Sequence, residues 1–153
     1  MKRLQTLSER NFLKCFFLFF SLSFLVAAFC MPDRADMLPG LVRIIQNPTL
    51  SSTNAFHIGG YAATFLNMGL LGLICTALYC VPGQKPNHEA VLVTMLTTGF
   101  GAWGIHIVNI WPTMVGVVLY CLVRKKPLGN YTNLMMLTTG LAPFISEILV
   151  RYP

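Results

Sequence analysis

Inside long apolar runs, this chain carries only a few side chains able to do chemistry. They are Asn67 in an otherwise uncharged segment, His106 and Asn109 in a glycine-rich stretch, Glu147 near the C-terminal end, and the threonine pairs Thr97-Thr98 and Thr138-Thr139. A carboxylate within a bilayer costs about 2.5–3.5 kcal/mol on insertion scales, so an acid there points to proton or cation handling unless an interface relieves it. Glu147 precedes Arg151 at the i,i+4 spacing of a helical ion pair, so it reads either as that pair or as a handler of protons or cations. His106, set among Gly104, Ile105, Ile107 and Asn109, is a satisfied turn residue or a ligand. Asn67 reads as an interhelical hydrogen bond worth roughly 1 kcal/mol or as a substrate contact. The threonine hydroxyls serve either a path for solute or a helix-packing surface on which they bond to backbone one turn back.

Other chemistry has no foothold. There is no GxSxG elbow, HExxH helix or phosphate loop, and no aspartate in an apolar run, so the chain is not expected to be an enzyme. His57 and His88 fall in expected loops, far from His106. The five cysteines Cys15, Cys30, Cys75, Cys80 and Cys121 form no CxxC pair and no cluster with histidine, so neither a disulfide framework nor a metal site is expected, and no cofactor.

The elements that hold these residues are dictated by the solvent the composition demands. Hydrophobic residues make up 55% and charged residues 10%, with mean hydropathy +0.64, against about 25% charged in soluble domains. The net charge of +6 does not form a stripe with interleaved aromatics, so nucleic acid is not an expected partner. The basic residues mark ends of apolar runs instead: Lys2, Arg3, Arg10 and Lys14 precede the first, Lys85 sits between runs, and Arg124, Lys125 and Lys126 close another.

Residues 1–31 form a basic leader and a first span, Cys15–Met31; a cleaved signal peptide is the competing reading, although its apolar run exceeds the usual length. Residues 32–60 form an external loop with Pro32, Pro39-Gly40 and Asn47-Pro48 as breakers and Leu41–Ile45 as a short interfacial helix. Asn47-Pro48-Thr49 is no glycosylation site, because proline stands in the middle. Residues 61–84 contain the cleanest span, Tyr61–Val81, opened by Gly59-Gly60 and stopped by Pro82-Gly83. Gly59 with Ala63, and Gly69 with Gly72, provide small surfaces for a neighbouring helix.

From Ala90 to Val123 there is no charge, yet a single helix of that length would run to about 50 Å, well beyond the roughly 30 Å hydrocarbon core. The segment must double back, and basic residues at both ends place both on the cytoplasmic side. Gly99, Gly101 and Gly104 put the reversal there, since each glycine costs nearly 1 kcal/mol in a helix interior. Two forms remain open: a re-entrant turn facing protein or water, and two short complete spans with Trp103 and Trp111 as interfacial anchors.

At an offset of 41 residues the chain matches itself: Lys85-Pro86 with Lys126-Pro127, Met95–Gly99 with Met136–Gly140, and Trp111-Pro112 with Tyr152-Pro153. Residues 85–125 and 126–153 thus read as a hairpin repeat whose second copy is incomplete, of the sort that builds membrane folds around a shared site.

Gly59-Gly60, Asn67–Leu71, Thr98–Phe100, Asn109–Pro112, Gly116–Tyr120 and Leu141–Pro143 together resemble a bacterial integral-membrane family known only as a domain of unknown function, over roughly residues 38–153. Members of that family are longer, so the resemblance implies a truncated member. It brings no substrate, so no residue role follows from it. The expectation is an all-α, polytopic transmembrane protein of about five membrane-embedded segments, integral to the cell membrane with its N-terminus cytoplasmic. Its expected partners are the lipid bilayer and either itself or another membrane subunit. The expected role is a transporter- or channel-like component. The alternatives are a membrane scaffold that binds a partner without transport, or an inactive fragment.

Overall fold

The computed structural model describes residues 2–47, 54–81, 83–84 and 86–151, and every regular element among them is helical. Two helices, α1 (Lys2–Cys30) and α4 (Tyr61–Cys80), include stretches long and apolar enough to cross a membrane, Ser8–Cys30 and Tyr61–Cys80. They lie antiparallel. The Phe17 and Tyr79 rings sit 5.4 Å apart, the Ser21 and Thr76 hydroxyls 3.4 Å apart, and Leu25 packs on Gly69. A Cβ built on Gly69 would come 2.4 Å from Leu25 Cδ2, and one on Gly72 2.5 Å from Ser21 Oγ, so both glycines exist to let α1 approach. The outer side of α1 stays apolar, with Phe19 74% and Val26 62% exposed, the reverse of a helix that faces water.

The chain between these helices forms two short ones, α2 (Met37–Gln46) and α3 (Ala55–Gly59). Pro39-Gly40 does not break the chain as expected but lies inside α2. Proline is tolerated in a first turn, where its missing N–H has no helical partner to serve. Gly40 then backs so closely onto Gly59 that an added Cβ would meet the Gly59 carbonyl at 2.2 Å. Arg43 ties α2 to its surroundings: Nε donates to the Ile58 carbonyl at 3.2 Å, and the guanidinium pairs with Asp36, whose carboxyl is lowered from its usual value by that hydrogen bond. Pro48 and Thr49 lie outside the described residues.

Helix α4 starts at Gly60, whose φ of +87° is open to glycine and strained for other residues. Its first amides are capped from a distance. Asp33 accepts from the Tyr61 N–H at 2.7 Å and from the Ala62 N–H at 3.2 Å, bringing a carboxylate to the positive end of the helix. The expected end at Val81 is observed one residue earlier, at Cys80; Pro82 is outside the described residues.

Next come α5 (His88–Phe100) and α6 (Trp111–Val123), with residues 101–110 reversing between them. His57 and His88 are therefore not loop residues: His57 is within α3 and His88 opens α5. At 13 residues each, the two arms are about 20 Å long, short of the roughly 30 Å of hydrocarbon. A Schellman closure ends α6: Lys126 N–H donates to the Cys121 carbonyl at 2.8 Å and Lys125 N–H to that of Leu122 at 3.2 Å, with Lys125 itself at φ +51°. The loop beyond returns to the end of α4, where a Cβ on Gly129 would lie 2.8 Å from the Gly83 carbonyl. Lys85 is outside the described residues.

The last arm lies between α5 and α6. Met136 joins Tyr79, Cys75 and Ala90 in one apolar cluster, and Met135 joins Leu71, Ile110 and Met114 in another. Leu134–Val150 is not one continuous helix. It divides into α7 (Thr132–Leu137), a 3-10 turn (Thr138–Leu141) and α8 (Ala142–Arg151). Pro143 has no N–H for the Thr139 carbonyl, which instead accepts from Ala142, and so the ladder tightens there.

Candidate functional site

The reversal at residues 101–110 is held by amide side chains. Asn67, six residues into α4 and so about 9 Å along it, is fully buried. Its Nδ2 donates to the Gly101 and Ile105 carbonyls, both at 2.8 Å, and its Oδ1 accepts from the Ile107 N–H at 3.3 Å. Asn109 does the same from within: Oδ1 accepts from the His106 N–H at 2.9 Å, and Nδ2 donates to the Gly104 carbonyl at 2.9 Å. Gly104 has φ +98°, where a side chain would strain the backbone, and a Cβ on Gly101 would lie 2.8 Å from the Thr98 carbonyl. On the side of the outer segment, the Ala55 N–H donates to the Ala102 carbonyl at 3.0 Å. Backbone that leaves the helical ladder is thus re-bonded by neighbouring helices, as a low-dielectric setting requires.

The reversal meets α8 at Ser146. Asn109 Nδ2 donates to Ser146 Oγ at 2.8 Å, and His106 Nε2 lies 3.2 Å from the same oxygen. His106 Nδ1 accepts from the Val108 and Asn109 N–H groups at 3.3 and 3.4 Å, so that nitrogen carries no proton and Nε2–H donates to Ser146. The geometry therefore selects the neutral Nε2–H tautomer, since a proton on Nδ1 would face two N–H donors. With two donors on the Ser146 oxygen, its own proton is free to be given onward.

Asn67, His106 and Asn109 are thus brought together. Ser146, which completes the group, was missed by sequence reasoning; a lone serine in an apolar run gives no signal of its own. Glu147 follows Ser146 on α8 and is 9% exposed. The Arg151 side chain, its expected ion partner, is outside the described side chains. The threonines stand apart, between α5 and the last arm. Thr97 Oγ1 lies 3.5 Å from Thr139 Oγ1, placing the two Thr-Thr-Gly segments in contact. Thr138 and Thr139 donate to the Met135 and Met136 carbonyls at 2.7 and 2.6 Å, the expected bond to backbone one turn back. Thr97 instead donates across to the Met136 carbonyl at 3.5 Å, and Thr98 Oγ1 is buried without a partner beside Gly72.

All five cysteines are free, with Cys75 and Cys121 buried. Among the described residues, no three His, Cys, Asp or Glu side chains are grouped to hold a metal ion.

No curated protein and no solved structure matches the chain. The family described as "Protein of unknown function (DUF1576)" matches residues 33–152, from the Asp33 cap through α8, and so includes Asn67, His106, Asn109 and Ser146. By that match over most of its length, the chain belongs to the DUF1576 family.

Proposed function

We propose that this chain is an integral-membrane, transporter- or channel-like component whose reversal at residues 101–110, together with Ser146 and Glu147, handles a cation or proton. The observation that carries the reading is the dedication of two buried amide side chains, Asn67 and Asn109, to non-helical backbone between two arms of about 20 Å. That is the re-entrant form of the hairpin, and broken helices at depth are where transporters place their sites. Glu147 is the sole carboxylate on α8, which favours a positive species over an anion. The repeat belongs to the same proposal. In the 41-residue register Glu147 stands opposite His106, so each copy contributes one ionisable side chain to the neighbourhood of Ser146.

The test is flux in proteoliposomes of the purified chain, with an internal pH dye and a potassium-valinomycin potential to read proton movement, repeated for sodium. Wild type is expected to conduct one of the two, and Glu147→Gln with His106→Ala to lower that flux at least about tenfold. Unchanged flux in the double variant removes both residues from the mechanism. No flux at all, with a foreign membrane protein crosslinked stoichiometrically, would favour the scaffold. One observation gives that alternative a surface: Gly116 on α6 has nothing within 4 Å, and an apolar groove of about 320 Å³ runs beside it past Val117, Tyr120 and Leu141.

A further inference from the structure

A second cavity, remote from the reversal, lies between the starts of α5 and α7 and has about 660 Å³ of space, within the range of small-molecule sites. Its lining is sorted by chemistry along its length. At one end are Gln84, Asn87, Glu89, Asn130 and Asn133, with the Tyr79 hydroxyl beneath them. At the other are only Leu92, Val93, Leu96, Leu134 and Leu137. From Glu89 to Leu96 the rise along α5 is about 10 Å, so the polar end and the apolar end are separated by the length of several methylenes.

The polar end is preorganised. Tyr79 Oη donates to Asn133 Oδ1 at 2.7 Å, and Asn133 Nδ2 donates to Asn87 Oδ1 at 3.1 Å and Glu89 Oε2 at 3.2 Å. Asn87 Oδ1 also caps α5 by accepting from the Ala90 N–H at 3.1 Å, and Thr132 donates to Gln84. The donors of this network are turned toward each other and toward Glu89, leaving the second carboxylate oxygen available. Among the described residues, Glu89 is the one charged residue of the lining and no basic group pairs with it. The apolar walls are open to the outside: Leu92 is 61%, Leu134 47% and Leu137 56% exposed.

We propose that this cleft binds a long-chain amine, its ammonium on Glu89 and its alkyl chain laid between α5 and α7, entering sideways from the surrounding lipid. A single carboxylate with satisfied amides behind it recognises a cation. Leucine walls on both sides take an alkyl chain and reject a polar one. An anionic headgroup would face Glu89 directly, which discriminates against fatty acids of the same length. The sideways route rests on the membrane reading above; the recognition itself does not.

The test uses the full chain in nanodiscs of phosphatidylcholine, with a spin-labelled long-chain alkylamine as probe and its immobilised fraction read by electron paramagnetic resonance. The amine is expected to be retained with a saturable dependence on Glu89: Glu89→Gln weakens retention about tenfold, and Leu134→Trp, which fills the cleft from its exposed wall, abolishes it. The matching spin-labelled fatty acid is expected to remain mobile. Equal immobilisation of amine and acid, or retention unchanged in Glu89→Gln, overturns the proposal. Leu122→Ala, on the exposed face of α6 and outside the cleft, serves as the control and should leave both retention and charge selectivity unchanged. If alkaline carbonate strips the chain from membranes, the membrane reading fails separately, and amine binding is then read in aqueous buffer with the same variants.

Discussion

At the scale of single residues, Asn67 determines whether the reversal can exist. Its side chain meets two carbonyls and one amide of residues 101–107, all of them outside any helical ladder. An ordinary polar bond between membrane helices averages well under 1 kcal/mol, because the separated helices find other partners. Here the partners are backbone groups fixed in a turn, and each group left unsatisfied costs about 1–3 kcal/mol. Asn67→Ala is therefore expected to destabilise the chain by about 2–4 kcal/mol, read as a lowered midpoint in thermal or denaturant unfolding in detergent. Asn67→Asp should be no better, since a carboxylate cannot donate to the Gly101 and Ile105 carbonyls. A loss of about 0.5 kcal/mol or less in both would mean that the turn holds itself. The sequence marked Asn67, His106 and Asn109 because polar groups are conspicuous in apolar runs. It could not mark Ser146, whose importance comes from a contact between α8 and the reversal that no local pattern encodes.

Among elements, α4 organises the rest. Its buried face receives α1 through Gly69 and Gly72 and α2 through Ala63, and its last turn receives α5 and α7 through Tyr79. The small-residue spacing and the bounds of this helix were legible, because both are local properties of the chain. The cap was not. Asp33 reaches the amides of Tyr61 and Ala62 across the whole α2–α3 segment, while sequence patterns look for a cap next to its helix. Pro39 misled for a related reason: its effect depends on whether it falls in a first turn or an interior one, and α2 starts two residues before it. Asp33→Ala is expected to cost about 1 kcal/mol, with Asp33→Asn keeping most of the stability, since the amide oxygen still accepts but the charge at the helix dipole is gone. Equal unfolding midpoints for wild type and Asp33→Ala would show that the cap contributes nothing. Gly60 is linked to the same cap, for an added Cβ there would lie 2.4 Å from Asp33 Oδ2.

For the whole molecule, the order of turns has a consequence for sidedness. α1 and α4 run in opposite directions, α5 and α6 run in opposite directions on either side of the last arm, and the loop after α6 touches the loop after α4. The start of α1, the end of α4 and the end of α6 therefore share one side of the bundle, and Asp33, Asp36 and Arg43 lie on the other. With Lys14 and Arg124 to Lys126 on the first side, the positive-inside tendency leads us to propose that this side faces the cytoplasm. Reporter fusions after Lys14 and after Lys126 are expected to report the cytoplasm alike, and one inserted between Asp36 and Arg43 the opposite face; a split between the two lysines would contradict the hairpin. The reversal itself was readable from its glycines and from the excess length of Ala90–Val123. The division of the last arm at residues 138–141 was not, because it turns on a single absent N–H at Pro143.

Because the Gly101 and Ile105 carbonyls and the Ile107 amide are bonded to a side chain of α4, while Asn109 holds other groups of the turn from within, those three cannot come free by movement of the reversal's own backbone alone. To expose them, α4 must draw back from the hairpin, which parts α5 from the helix that also seats α1. Local opening at the site and separation of the bundle are then the same event, and a species that loosened the turn would be felt at the far end of α1.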